Sequence, residues 1–308
     1  MAATSFHVAG NPTLRPWPSR RPSVTCKAIP GLASVSSSSE NQAAYYWSGI
    51  NADVETHLEL SFPAAREPVA VHATLRELVL SAPRTMAPAL CVAAADLVAG
   101  GDRAAAVGVA AALHAYYAAA HAHERLPGLL EDANPNPNPV NMRLLCGDAV
   151  YPFVFGAVAG TLGGSDPVRA TRVMVEMAQL MGSQGYVMGQ YMHVKRVKEG
   201  GGPGGAGGVG AREVCEKKEG ALYSCAAACG ALLGGADEEE TERLRRFGYY
   251  VGMIHGMLFG TGRGERVGVE SFRTMALKEL EAFRWKSRKV ERISTLLDVT
   301  SEESTRAQ

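Results

Sequence analysis

The 308-residue chain contains no Asp-Asp dipeptide, and its eight aspartates (53, 96, 102, 132, 148, 166, 237 and 298) all stand apart from one another. That excludes the paired-aspartate clusters that gather several divalent cations at one place. Net charge is also missing: 31 basic residues balance 31 acidic ones, so no global field draws in nucleic acid or an anionic surface. Cysteine is scarce and unevenly placed, at 26, 91, 146, 215, 225 and 229, which rules out a disulfide framework for a chain this long. The longest weakly apolar stretch, Ala104 to Ala120, is mostly alanine and holds His114, Tyr116 and Tyr117. It falls short of the roughly 20 strongly apolar residues that a membrane span needs, so no integral span is expected.

A more local absence concerns the first 39 residues, which carry no acid but do carry Arg15, Arg20, Arg21, Lys27 and eight serines. Serine-rich, arginine-bearing and acid-free is the composition of an organellar transit peptide, and the compact apolar run of a secretory signal is not there. Without those four cations, 27 basic residues (31 − 4) face 31 acidic ones, a net charge of −4.

What the chain does have is helical periodicity. From Pro68 onward apolar residues recur at three- and four-residue spacing with almost no alternation, so the expected class is all-α, one helical domain over 66–284. Residues 40–65 read as a lead-in and 285–308 as a polar tail. Helices are expected at Val69 to Ser81, Ala89 to Val98, Asp102 to Leu126 with a break at Pro127 and Gly128, and Val140 to Leu162. Others follow at Asp166 to Val197, Val214 to Leu233, Asp237 to Phe259 and Val269 to Phe283. Asp166 before Pro167, and Asp237 before an acidic first turn, are expected caps. Asn134 to Pro139 alternates Asn with Pro and cannot be helical. Eight of the eleven residues from Gly200 to Gly210 are glycine, which predicts a flexible loop and, lacking any phosphate-loop signature, no nucleotide site.

The order of these helices, with the strings on them, resembles the short-chain trans-prenyltransferases and most closely the plant geranylgeranyl diphosphate synthases. Arg66-Glu67-Pro68-Val69 through His72 and Arg76, Pro88-Ala89-Leu90-Cys91, His123 with Leu126-Pro127, Gly147-Asp148-Ala149, Gly189-Gln190 and Lys218 through Gly234-Gly235 carry the resemblance, in collinear order. It implies an isoprenoid-synthase-type helical bundle. In that family two aspartate clusters on facing helices bind Mg²⁺ ions that neutralise the leaving diphosphate.

Both clusters are degenerate in this chain. At the first, Glu124 and Arg125 follow His123, and Leu130 stands in the place of the last aspartate; at the second, Phe259 and Gly260 replace paired aspartates. Arg125 sets a cation where a dication would sit, a repulsion of about 4 kcal/mol for unit charges 4 Å apart at an effective dielectric near 20. Arg84, Gln190 and Lys218 are the residual matches to the substrate site, and Glu219 replaces a threonine beside Lys218. No catalytic residue, no metal ligand and no cofactor of its own are therefore expected. His255 reads as a packed histidine, and Asp237 to Glu240 as a solvated helix start.

Cys225 and Cys229, four apart on a helix, share one face. The resemblance extends to the non-catalytic small subunits of plant heteromeric geranyl(geranyl) diphosphate synthases, which use two CxxxC elements to bind the catalytic subunit. Here the first element keeps Cys91 and has Ala95 at its second position. The resemblance thus implies an inactive plastid subunit with Cys225, Cys229, Cys91 and Ala95 as candidates for the interface with a geranylgeranyl diphosphate synthase, and Mg²⁺ in the partner alone. Two other readings stand beside it: residual prenyl transfer through Glu124, Glu131 and Asp132, and a thiol redox or metal-binding role for Cys225 and Cys229.

Overall fold

A computed structural model describes residues 39–63, 66–98, 101–131, 140–164, 166–198, 210–262 and 268–298. The transit-peptide reading, the Asn-Pro segment and nearly all of the glycine-rich loop lie outside the described residues. Among those described, the regular structure is helical throughout: α1 (Ser39–Ser61), α2 (Val69–Leu80), α3 (Ala87–Val98), α4 (Arg103–Glu131), α5 (Val140–Leu162), α6 (Pro167–Met181), α7 (Tyr186–Lys198), α8 (Ala211–Cys215), α9 (Ala221–Gly234), α10 (Glu238–Leu258), α11 (Val269–Leu280) and α12 (Ser287–Ser294). One wide π turn, Glu216–Gly220, joins α8 to α9 without a break, and short 3-10 segments flank α12.

The helix starts follow their local chemistry. Asp166 accepts from the Arg169 N–H at 2.9 Å with Pro167 in the first turn. Asp102 accepts from the Ala104 N–H at 2.8 Å. Asp237 and Glu240 form a reciprocal capping box, so the acidic run is a helix start as expected. Four expectations need correction. α4 continues through Pro127 and Gly128 to Glu131. The helix expected over 166–197 is two, because the chain turns between Gly182 and Gly185, whose N–H donates to the Gly182 carbonyl. The lead-in is largely α1, which buries Ile50, Val54 and Leu58, one residue per turn. The polar tail begins later than 285, since Ile293, Leu296 and Leu297 are buried in the core and Trp47 Nε1 donates to Thr295 Oγ1 at 2.9 Å.

α9 lies at the centre, with α3 and α10 packed along it and α4 and α6 completing its surround. Every residue from Cys225 to Gly234 is buried. The α3–α9 seam is built of small side chains: a Cβ at Gly230 would overlap the Cys91 carbonyl, and one at Gly234 would meet Val98 Cβ at 2.7 Å. At Gly230 the two backbones touch because only Cys91 and Ala94 stand opposite it. α5 is the one described helix long and apolar enough to cross a membrane, a weak signal on its own.

Candidate functional site

Beside this seam the helices part to leave a cavity of about 1130 Å³, walled by α1, the 83–88 segment, α4, α7, the π turn and the C-terminal end of α10. Both degenerate motifs converge on it. α4 contributes His114, Tyr117, His121, Glu124 and Arg125, whose spacing of three and four residues keeps them on one face. Phe259 and Gly260 arrive from α10, Lys218 and Glu219 from the π turn, and Arg84 from the segment before α3. Leu130 lies on α4, in the part whose side chains are not described, and Glu131 with Asp132 likewise fall outside the described side chains.

Among the described residues Lys218 is the best-buried charge, with 4% of its side chain exposed. Its Nζ donates to Glu124 Oε1 at 2.6 Å and to Gln190 Oε1 at 3.4 Å, and it sits 5.3 Å from the centre of the Tyr186 ring. Gly189, beside Gln190, makes room: a Cβ there would meet Lys218 Cγ at 2.7 Å. Glu219 is held as firmly, accepting from the Thr261 N–H at 3.0 Å and from Thr261 Oγ1 at 2.7 Å. Arg84 pairs with Glu55 at 2.9 Å, both ends largely exposed. Of the three residues that the resemblance singles out, Arg84 and Lys218 line the cavity and Gln190 meets Lys218, and the charges of Lys218, Glu219 and Arg84 are each answered from within the chain.

Burial makes the cavity histidines weaker bases than a free imidazole. Burial pulls His255 down to about 4, against the weaker opposite pull of the Leu296 carbonyl 3.1 Å from Nε2, while Tyr223 Oη lies 3.2 Å from Nδ1. Burial likewise lowers His114 to about 4, with Arg84 adding to the effect. His121 and His193 are lowered mainly by desolvation. His255 is a packed, hydrogen-bonded histidine, in line with its sequence reading.

A magnesium cluster does not fit these residues. Glu124 is committed to Lys218, Arg125 stands beside it, Glu219 is committed to Thr261, and Phe259 and Gly260 bring no carboxylate. Among the described residues no group of three or more His, Cys, Asp or Glu could hold a metal ion.

The four interface candidates, Cys91, Ala95, Cys225 and Cys229, are at most 4% exposed and lie on α3 and α9, inside the seam between those helices. The two α9 sulfurs are 3.9 Å apart. The hydrogen bond that the Cys229 thiol shares with Cys225, together with burial, holds that thiol well above its ordinary pKa, and burial does the same for Cys91, which keeps both protonated and poorly reactive. Sequence reasoning missed His114, Tyr117 and His121 on α4 and His193 on α7 as cavity residues; for the first three, the polar stripe at three- and four-residue spacing within an otherwise Ala-rich α4 was the available signal.

No protein-family model matches the chain. Among curated proteins it is 41% identical over 265 residues to the chloroplastic heterodimeric geranylgeranyl pyrophosphate synthase small subunit 2 of Cannabis sativa, covering 82% of this chain and 90% of that one. It is 33% identical over 260 residues to the corresponding chloroplastic small subunit of Arabidopsis thaliana, covering 77% and 76%. Among solved structures, the geranyl diphosphate synthase small subunit of Antirrhinum majus matches with a TM-score of 0.73 at 38% identity, over 84% of this chain and 99% of that one. A mint deletion mutant of heterotetrameric geranyl pyrophosphate synthase matches with the same TM-score at 36% identity, over 82% and 99%. The relatives' chloroplastic names agree with the organellar transit peptide read from the first 39 residues and with the plastid location that the resemblance implies. By this likeness across most of its length, the chain belongs to the small subunits of plant heteromeric geranylgeranyl and geranyl diphosphate synthases.

Proposed function

We propose that the chain is a non-catalytic subunit that pairs in the plastid with a catalytic geranylgeranyl diphosphate synthase and alters its rate or product chain length. The Glu124–Lys218 pair carries this reading. A lysine placed to meet a diphosphate is neutralised by a carboxylate of the same chain, at the position where a metal-binding aspartate would otherwise begin its motif. Binding a prenyl diphosphate would require breaking that pair with no metal to replace it.

Pairing is supported by where the surface is apolar. Exposed large hydrophobic side chains gather on α5, α6 and α7, among them Leu144, Leu145 and Val168. On α7, Val187, Tyr191 and Val194 form one stripe, spaced four and three residues apart. The α7 stripe, rather than the buried Ala-rich helices and their cysteines, is the surface offered to the synthase. Bound there, the subunit acts by favouring one conformation of its partner, to which it adds no metal of its own; Mg²⁺ belongs to the partner.

The test is a prenyl-transfer assay with Mg²⁺, isopentenyl diphosphate and allylic acceptors. The expected result is silence from this chain alone and a changed rate or chain-length distribution when it is mixed with a plastidic geranylgeranyl diphosphate synthase. Turnover by the chain alone would overturn the reading in favour of residual catalysis, and an unchanged mixture would remove the regulatory role.

A further inference from the structure

Helix α1 is held to the rest of the chain in two unlike ways. At its C-terminal end Phe62 is buried, its ring centre 4.7 Å from that of Phe153, and Arg76 Nη1 donates to the Phe62 carbonyl at 2.9 Å and to the Glu59 carbonyl at 3.3 Å. That end is fixed by aromatic packing and by a cation on its open carbonyls. Toward the N-terminal end the attachments are single polar contacts. Tyr46 Oη donates to Asp96 Oδ2 at 2.8 Å, Trp47 Nε1 donates to Thr295 Oγ1, and the Arg292 guanidinium lies 4.5 Å from the centre of the Tyr46 ring. Between the two ends run the ion pairs Asp53–Arg103 and Glu55–Arg84, exposed enough for solvent to screen them, and the thin apolar line of Ile50, Val54 and Leu58.

The elements that receive these polar contacts are themselves well anchored. Lys286 Nζ donates to the Val98 carbonyl at 2.7 Å and Lys289 Nζ to the Asp96 carbonyl, so the chain around α12 caps the end of α3. Beyond Thr295, the Leu296 carbonyl meets His255 and Asp298 accepts from Arg273 at 2.7 Å. We propose that α1 is a movable wall of the cavity: residues 46–58 undock as one unit from the latch at Tyr46 and Trp47, about a hinge at 59–62, while α9 and its seam stay folded. Asn51, Val54 and Glu55 line the cavity, so undocking removes that wall and widens the space behind it. The motion uncovers little apolar surface, since Ile50, Val54 and Leu58 are the buried positions of that stretch. Opening α9 would uncover every residue from Cys225 to Gly234. Nothing in this motion requires a synthase to be bound.

The test is native-state hydrogen exchange of the full chain at rising urea, kept below the unfolding transition. A helix of this length released into water does not hold its hydrogen bonds, so undocking exposes its amides. The amides of 50–58 are expected to exchange together, at least about tenfold faster than those of α9 and with a smaller urea dependence. Tyr46→Phe with Trp47→Phe removes both latch bonds and is expected to speed that exchange about tenfold further while leaving α9 unchanged. Exchange of α1 with the full urea dependence of α9 would mean that the helix leaves only when the whole chain unfolds. A smooth gradient of rates along 46–62 would mean fraying, and equal acceleration of α9 in the double variant would mean that Tyr46 and Trp47 serve the fold at large. Each of these results would overturn the proposal; the first two are read on the unmodified chain, so the test stands should the variant fail to fold.

Discussion

Along the α3–α9 seam side chains shrink to Cys, Ala and Gly until two backbones touch, whereas at the π turn immediately before α9 they lengthen into Lys218 and Glu219 and reach across to other helices. In the first region contact is between surfaces, and almost any enlargement collides. In the second it is between named atoms, and what counts is which charge answers which. The contrast shows how a prenyltransferase-like bundle can keep its packing while its ionic site is rewritten: the seam depends on volume, the cavity on charge.

The contrast is most sharply broken at Gly230. Gly230→Val is expected to destabilise the chain by about 3 kcal/mol or more, because the new side chain meets the Cys91 backbone, which cannot rotate away. Urea unfolding measures it, and a loss below about 1 kcal/mol would show that the seam is loose. On the cavity side, Glu124→Gln leaves Lys218 buried without its counter-ion. The expected cost is about 2–3 kcal/mol, somewhat under the range for fully buried pairs because Glu124 keeps a fifth of its side chain exposed. The same variant is expected to gain affinity for inorganic pyrophosphate by calorimetry, and adding Lys218→Met should remove that gain and recover stability.

Acid should weaken the chain through its histidines. His114 and His255 sit at about 4, below the ordinary 6.5 of the unfolded chain. Between those values the unfolded state takes up protons that the folded state refuses. Each histidine then costs stability at about 1.4 kcal/mol per pH unit as pH falls, with no contribution well above 6.5. Thermal melts from neutral to acid pH check the slope, and His114→Gln should flatten it. A smaller effect is expected at the seam from Cys225→Ser with Cys229→Ser, about 1 kcal/mol for each hydroxyl enclosed among apolar neighbours. That loss should appear in unfolding and leave affinity for the catalytic synthase unchanged; weakened pairing at full folded content would return these cysteines to the interface. The smallest effect concerns Arg125→Asp, which is expected to restore no prenyl transfer, since Phe259 and Gly260 still bring no carboxylate to the facing helix.

Much of the fold was readable in advance. α5 spans Val140–Leu162 as its apolar run indicates, and the caps at Asp102, Asp166 and Asp237 form as their spacing requires. α1 was missed because its buried side is a single narrow line, Ile50, Val54, Leu58, set among polar residues. The α6–α7 turn was missed because periodicity carries across Gly182 to Gly185 without a proline to stop it. In the site, the residue types were legible and their partners were not: 94 positions separate Lys218 from Glu124, and a single chain holds no record of such pairs. For the cysteines, spacing showed that two thiols share a helix face and could not show what that face meets, which proved to be Cys91 and Gly230's neighbours on α3.

The bond between Lys218 and Glu124 joins two parts of one molecule, so its strength does not depend on the concentration of anything else. A catalytic site that draws its local order from magnesium and diphosphate is reshaped whenever either becomes scarce. This chain carries the counter-ion of Lys218 in its own sequence, so the pair forms as the helices fold and waits for no ion or ligand to complete it.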